Sequence, residues 1–137
     1  PCNIARSGWI VEQPRQILRS FVKDFVEMTP RGRAIYCCGG GGGLVSMDET
    51  LEWRMKVAGR VKADQIRATG AEICVAPCAN CKKQVAEVCE DNGLDVRVCG
   101  LHDLILKAID APDFMKAGGA GADGPETAPA DASSEDA

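Results

Sequence analysis

Glu72 to Cys99 reads EICVAPCANCKKQVAEVCEDNGLDVRVC. Two short β-favouring runs, "EICVAP" (72–77) and "LDVRVC" (94–99), flank a segment of helical character. Pro77 closes the first run, because proline cannot continue a ladder. Between Cys78 and Asn92, Cys81, Val85 and Val88 recur on one helix face, and Gly93 supplies the stop. A strand, a helix and a second strand joined by turns this short predict a parallel βαβ unit.

The alternation extends outward from that unit. Ser46 with Glu49 has the form of a capping box, and Leu51, Met55, Ala58 and Val61 predict the inner face of a helix reaching Thr69 and ending at Gly70. Before it, "RAIYC" predicts a buried strand over Arg33–Tyr36. Ile17/Leu18, Phe21/Val22 and Phe25/Val26 repeat every four residues, which predicts a helix from Gln13 to Met28 with Pro14 in its first turn and Thr29-Pro30 as its stop. On the other side, Leu101, Leu104, Ile105, Ala108 and Ile109 predict a last helix over 101–109. The fold class read from this order is α/β: a small parallel sheet with helices packed on it, Rossmann-like, with cysteines at the carboxyl ends of the strands.

The 137 residues divide by composition into a folded domain over 1–110 and a tail over 111–137. The tail, rich in Ala, Gly and Pro, has too little apolar surface to offset its ordering entropy and is expected to be disordered. It holds six acids against Lys116, a charge of −5, so the net −4 of the chain leaves residues 1–110 at +1. No block of Lys or Arg offers a phosphate-tracking surface, and nucleic acid is excluded as an expected partner. No run approaches the length of about 18 apolar residues that a membrane span needs, and no signal peptide is recognisable at the start. The chain opens at Pro1 in what reads as a loop, so a fragment of a longer subunit, located in the cytoplasm, is expected.

Eight cysteines are more than packing explains in such a chain: Cys2, Cys37, Cys38, Cys74, Cys78, Cys81, Cys89 and Cys99. In a reducing compartment, clusters of this kind read as metal-binding or redox-active before they read as disulfides. Cys74, Cys89 and Cys99 suit the role of small buried hydrophobes. The others fall where ligands gather in an α/β fold, just past strand ends. Cys78 and Cys81 open a helix, whose free N–H groups favour thiolates, as a metal site or a thioredoxin-like pair would require. The adjacent Cys37 and Cys38 are poorly placed for a mutual disulfide and better used on iron or zinc. The five glycines that follow, Gly39 to Gly43, let backbone approach a bulky inorganic group and offer it N–H groups. They lack the Lys-Ser/Thr of a phosphate loop and the spacing of a dinucleotide fingerprint. A flexible turn is the plainer alternative.

"PCNIAR", "YCCGGGGGL" and "CVAPCANCKKQ" together resemble the cysteine-rich CCG domain of heterodisulfide reductase-like iron-sulfur subunits, as found in transmembrane redox complexes of sulfate-reducing microbes. The resemblance spans Pro1 to about Ile109. It implies a non-cubane [4Fe-4S] cluster on Cys2, Cys37, Cys38, Cys78 and Cys81, with Gly39, Gly40 and Gly41 in its wall. It also implies reduction of a disulfide in one-electron steps, with a disulfide substrate or thiol protein as the partner at the surface. Electrons would come from a ferredoxin-like domain of the same full-length chain, within a membrane-bound redox complex at the cytoplasmic face. The interval from Cys38 to Cys78 is slightly longer than in the best-known members, which keeps Cys74 as a substitute ligand.

His102 is a candidate proton donor to a released thiolate, although a lone histidine is more often a capping or core residue. Arg6, Lys82 and Lys83 are candidates for attracting an anionic substrate, with surface solvation as their default role. Trp9 and Trp53 read as packing residues. Two alternatives stand beside the electron-transfer module: a thioredoxin-like oxidoreductase using Cys78 and Cys81, and a docking domain that is zinc-bound or free of metal.

Overall fold

The computed structural model describes residues 2–109, so the predicted tail at 111–137 lies outside the described residues. In chain order the elements are a π-helical turn at Asn3–Ser7, helix α1 (Glu12–Phe21), 3₁₀ turns at Gly32–Ala34, Leu44–Ser46 and Asp48–Thr50, and helix α2 (Leu51–Trp53). A π-helical turn at Arg54–Ala58 carries α2 into helix α3 (Gly59–Thr69), followed by strand β1 (Ile73–Val75), helix α4 (Ala79–Asp91), strand β2 (Arg97–Cys99) and helix α5 (Leu101–Ala108). The fold is α/β.

The β1–α4–β2 unit forms as the sequence predicts. β1 and β2 pair in parallel with Cys74 opposite Val98, and the ladder is closed by Arg97 N–H to Glu72 O at 2.9 Å and Ala76 N–H to Cys99 O at 2.8 Å. Helix α4 crosses between them with Val85 and Val88 buried, and it packs on α3, where Ala63 and Ile66 are equally closed to solvent. Burying a side chain such as Ile66 or Val88 contributes about 1.5–3 kcal/mol each. Two apolar clusters result: Cys38, Ile66, Cys74, Val85 and Cys89 form one, and Met55, Ala63 and Val88 the other. Cys74 and Cys89 are thus core residues.

Four sequence expectations are corrected. No strand forms at Arg33–Tyr36. Gly32 adopts φ +62°, a left-handed conformation open to glycine, and turns the chain into the 3₁₀ turn. The carbonyls of Arg33 and Ile35, which a ladder would use, instead accept hydrogen bonds from the Arg6 guanidinium. A largely apolar cavity of about 580 Å³, with Ile35 on one wall and Ile73 and Val75 on another, separates this segment from β1.

The first helix ends at Phe21 rather than Met28, with Val22 already extended (φ −96°, ψ 125°). Arg15 Nη2 reaches Glu27 Oε2 at 3.0 Å, whereas twelve residues of unbroken helix would hold the two about 18 Å apart. The chain therefore folds back along α1.

The Ser46–Glu49 capping box is absent. Ser46 closes a 3₁₀ turn, and α2 begins at Leu51 after Thr50, whose hydroxyl lies 2.8 Å from the carbonyl oxygens of both Leu44 and Met47.

The inner face of the long helical segment also differs from expectation. Met55 is buried, but Leu51 and Val61 are both 45% exposed, and Arg54, Lys62 and Gln65 occupy the inner positions. Trp53, Val57 and Val61 line the opposite side, four residues apart and open to solvent.

Candidate functional site

Two sulfur pairs lie on one side of the α3–α4 layer. The first joins the two ends of the N-terminal region. Cys2 opens the π-helical turn, Arg6 on that turn grips the backbone at Arg33 and Ile35, and Cys37 follows two residues later. This tie brings Cys2 Sγ to 3.7 Å from Cys37 Sγ. Two sulfurs bound to one tetrahedral ion at about 2.3 Å each lie about 3.8 Å apart, so the spacing suits two ligands of one metal atom. Cys37 is exposed, and the Gly39 N–H donates to its sulfur at 3.4 Å. Burial of part of the thiol raises the Cys37 pKa, and the neighbouring Cys2 and Cys38 add to the rise.

The second pair lies deeper, with Cys38 buried and Cys81 half-buried. Cys38 Sγ lies 3.2 Å from Cys81 Sγ, far outside the ~2.05 Å of a disulfide bond. The hydrogen bond from Cys81 draws the Cys38 pKa down to about 6 against the cost of burial, helped by the Gly40 N–H. Cys81 is pushed far up by the same hydrogen bond and by burial. At neutral pH the pair is therefore a Cys38 thiolate accepting from a Cys81 thiol. Cys78 caps α4 with an extended backbone and adds to the negative field around Cys81, but the sulfur hydrogen-bonded to Cys81 is that of Cys38. The thioredoxin-like reading had expected the pairing within Cys78-x-x-Cys81.

The glycine run does two jobs. A Cβ on Gly39 (φ +90°) would meet Ala58 Cβ at 2.8 Å, and one on Gly40 would meet Gln84 Cβ at 2.8 Å, so these two let the loop settle onto the helices and set Cys38 against Cys81. Gly41, Gly42 and Gly43 face open space. Beside them an open depression of about 590 Å³, lined by Tyr36, Leu44, Trp53 and Val61, reaches Cys37. Trp53 is 51% exposed there, and Trp9 carries the Arg33 guanidinium 3.5 Å above its ring.

The floor beneath the loop is polar, which the sequence reading missed. Gln84 is fully buried and accepts from Arg54, itself 3% exposed and paired with Glu87 at 2.9 Å. Lys62 is buried as well, with its Nζ donating to Gln65 Oε1 at 2.7 Å. Polar residues at the inner period of an otherwise amphipathic helix were the available signal.

Among the described residues, none of the remaining candidates hydrogen-bonds to a sulfur of either pair. His102 is exposed against Gly100, with Nε2 3.3 Å from Asp103 Oδ1. Asp103 Oδ2 accepts from Lys82 at 2.6 Å and from the Gly100 N–H at 2.7 Å, and these bonds hold its pKa below the ordinary carboxylate value. Lys83 is engaged with Val45 O at 3.3 Å. Arg6 serves the N-terminal tie, so all three cationic candidates have structural partners. Cys74 sits in β1 behind Cys38, its pKa raised to about 11 by burial. Cys99 ends β2 near Asp103 and is raised by burial.

Among the described residues, no three Cys, His, Asp or Glu side chains surround a single point as one bound ion would require. The sulfurs are grouped two by two. Nor, among those residues, is any helix long and apolar enough to cross a membrane.

The family model described as "Cysteine-rich domain", CCG, matches residues 1–86. Similar curated proteins include the "Hdr-like menaquinol oxidoreductase iron-sulfur subunit 2" of Archaeoglobus fulgidus, 34% identical over 115 residues covering 80% of this chain and 20% of the relative. The corresponding subunit of Archaeoglobus profundus is 32% identical over 115 residues, with the same shares. A "Probable membrane-anchored ferredoxin" of Chromohalobacter salexigens is 30% identical over 111 residues, covering 80% of this chain and 16% of the relative. The chain thus spans about a fifth of the length of these relatives. No solved structure matches it.

Proposed function

This chain belongs to the cysteine-rich domain family CCG, and from that premise we propose that it is the electron-transfer module of a heterodisulfide reductase-like iron-sulfur subunit. In this reading Cys2, Cys37, Cys38, Cys78 and Cys81 hold a non-cubane [4Fe-4S] cluster. The observation that carries it is the grouping of the family's cysteines from three distant parts of the chain, with Cys2–Cys37 at 3.7 Å and Cys38–Cys81 at 3.2 Å. The donor set fits such a group: thiolates are soft ligands suited to iron-sulfur clusters, and sulfurs in pairs suit several metal atoms better than one.

When bound, the cluster supplies one-electron chemistry for reducing a disulfide. The protein groups do the rest. Cys38, with its depressed pKa, is already a thiolate at neutral pH and is prepared as a ligand, while Cys81 must give up its proton to become one. The Gly39 and Gly40 N–H groups donate to the Cys37 and Cys38 sulfurs and stabilise their negative charge. The uncharged depression beside Cys37 offers a disulfide substrate or thiol protein a way in from solvent. His102 is the proposed proton source for the released thiol. An unchanged pH dependence of disulfide turnover in His102→Ala would remove it from that role.

The proposed partners are a ferredoxin-like domain in the longer subunit and the other subunits of a membrane-bound redox complex at the cytoplasmic face; the relatives' printed names, an oxidoreductase "iron-sulfur subunit" and a "membrane-anchored ferredoxin", support the redox-complex part of this. Anaerobic reconstitution with iron and sulfide tests the reading. About four irons per chain, lost on changing any of the five cysteines to Ser, is the expected result. Tight binding of one zinc without iron would favour the docking-domain reading. Redox activity surviving with only Cys78 and Cys81 would favour the thioredoxin-like one.

A further inference from the structure

Lys62 on α3 is 4% exposed, and among the described residues no carboxylate lies within ion-pair distance of it. Its one hydrogen bond goes to a neutral acceptor, Gln65 Oε1, and Gln65 in turn is fixed through its Nε2 to Thr29 O at 2.7 Å. A buried ammonium with only an amide for company is costly, and such groups are retained in proteins where an anion compensates them.

The helix face identifies the anion. Ala58, four residues before Lys62, is the group that Gly39 rests upon. Ile66, four residues after, belongs to the cluster that contains Cys38 and Cys74 and packs against Cys81. Residues four apart share a helix face, so Lys62 lies between two contacts with the cysteine loop. Burial lowers the Lys62 pKa, and the neighbouring sulfurs, Cys38 foremost, oppose that fall by favouring the ammonium form.

We propose that Lys62 is a positioning residue, the buried counter-cation of the sulfur centre formed around Cys38, Cys81 and Cys37, and that its charge favours the reduced, more negative state of that centre. This rests on the reading of those cysteines as ligands of an iron-sulfur cluster. A fixed positive charge in a low-dielectric setting stabilises added negative charge and so raises the reduction potential of its neighbour. Electrostatics, not contact with substrate, is the mode of action.

The test compares the wild-type chain, Lys62→Met and Lys62→Arg after anaerobic reconstitution. Iron content is measured first, then the potential by titration followed with electron paramagnetic resonance. Lys62→Met is expected to move the midpoint to more negative potential, with the reduced-to-oxidised ratio at a fixed potential falling at least about tenfold, which is 59 mV for one electron. Lys62→Arg keeps the charge and should stay near wild type.

In the metal-free protein at a pH below 6, where Cys38 is a thiol, Lys62→Met should melt no lower than wild type, because there it exchanges an uncompensated buried charge for an apolar chain of similar length. A lysine kept only for packing or for its bond to Gln65 would show the reverse: a lower melting temperature and an unmoved potential. Loss of iron from Lys62→Met with retention in Lys62→Arg, all three melting alike, also supports the counter-cation. Equal iron with equal potentials overturns it and leaves the cluster reading standing. Failure of the wild-type chain to take up iron overturns the cluster reading and this inference with it.

Discussion

The two sulfur pairs are built from the same residue type and differ in almost every physical respect. Cys2 and Cys37 sit 3.7 Å apart at the surface, held by a single arginine that ties one turn to the next segment's backbone. Cys38 and Cys81 sit 3.2 Å apart over the core, on a loop and a helix fixed by Ile66, Val85 and the Gln84–Arg54 floor. One pair is organised by a tether and the other by packing. The deeper pair should therefore be preformed, with the exposed pair completing the site as metal arrives.

The largest effects should fall on the deeper pair. Cys38→Ser or Cys81→Ser is expected to weaken iron retention by about 100-fold or more, and Cys2→Ser or Cys37→Ser by about tenfold, measured by chelator competition. Equal losses at all four positions would erase the distinction. The glycines give a second contrast. Gly40→Ala pushes a methyl group into Gln84 and should cost about 1–3 kcal/mol in urea unfolding of the metal-free protein, whereas Gly41→Ala meets open space and should be nearly neutral.

The pH dependence of metal-free stability sharpens the comparison further. Cys38 has a folded pKa of about 6, below the thiol's usual value, so its contribution is present above the unfolded pKa and is lost as pH falls through 6. Cys81, Cys37 and Cys74 are raised, so their contributions are present below the unfolded pKa and are lost at higher pH as the folded groups ionise. The melting temperature of the reduced protein should thus climb between pH 6 and about 9 and decline beyond it. Each kcal/mol is worth about 4–8 °C in a domain this size. In Cys38→Ser the climb should vanish while the decline remains. The smallest effect is expected from Arg6→Met, which loosens Cys2 from Cys37. It should speed alkylation of Cys2 and Cys37 several-fold while leaving Cys38 labelling unchanged, as read by mass spectrometry.

The βαβ unit was legible because its signals agree: β-favouring runs, Pro77, an apolar helix face and Gly93 all indicate the same element order. The N-terminal half was not, because its segments are decided by partners distant in sequence. Arg6 takes the carbonyls that would have made Arg33–Tyr36 a strand, and Arg15 folds Glu27 back against α1. The cysteines still meet, since Cys37 and Cys38 need only follow a segment that ends over α3 and α4, whether or not that segment is a strand.

The long helical segment is the most informative case. It carries two competing stripes, apolar Leu51, Met55, Ala58 and Val61 on one side and Arg54, Lys62 and Gln65 on another, and hydrophobic periodicity selects the first. The chain buries the second because the cysteine loop lies there. Polar groups needed by a site are placed where periodicity predicts apolar ones, so the site's supporting residues were the least legible part.

The central claim, that five cysteines hold one multinuclear iron centre, is most directly tested by iron K-edge X-ray absorption on the anaerobically reconstituted chain. The account predicts an all-sulfur first shell together with a clear iron–iron vector. An iron environment with no iron–iron vector, or one rich in oxygen and nitrogen, would contradict it.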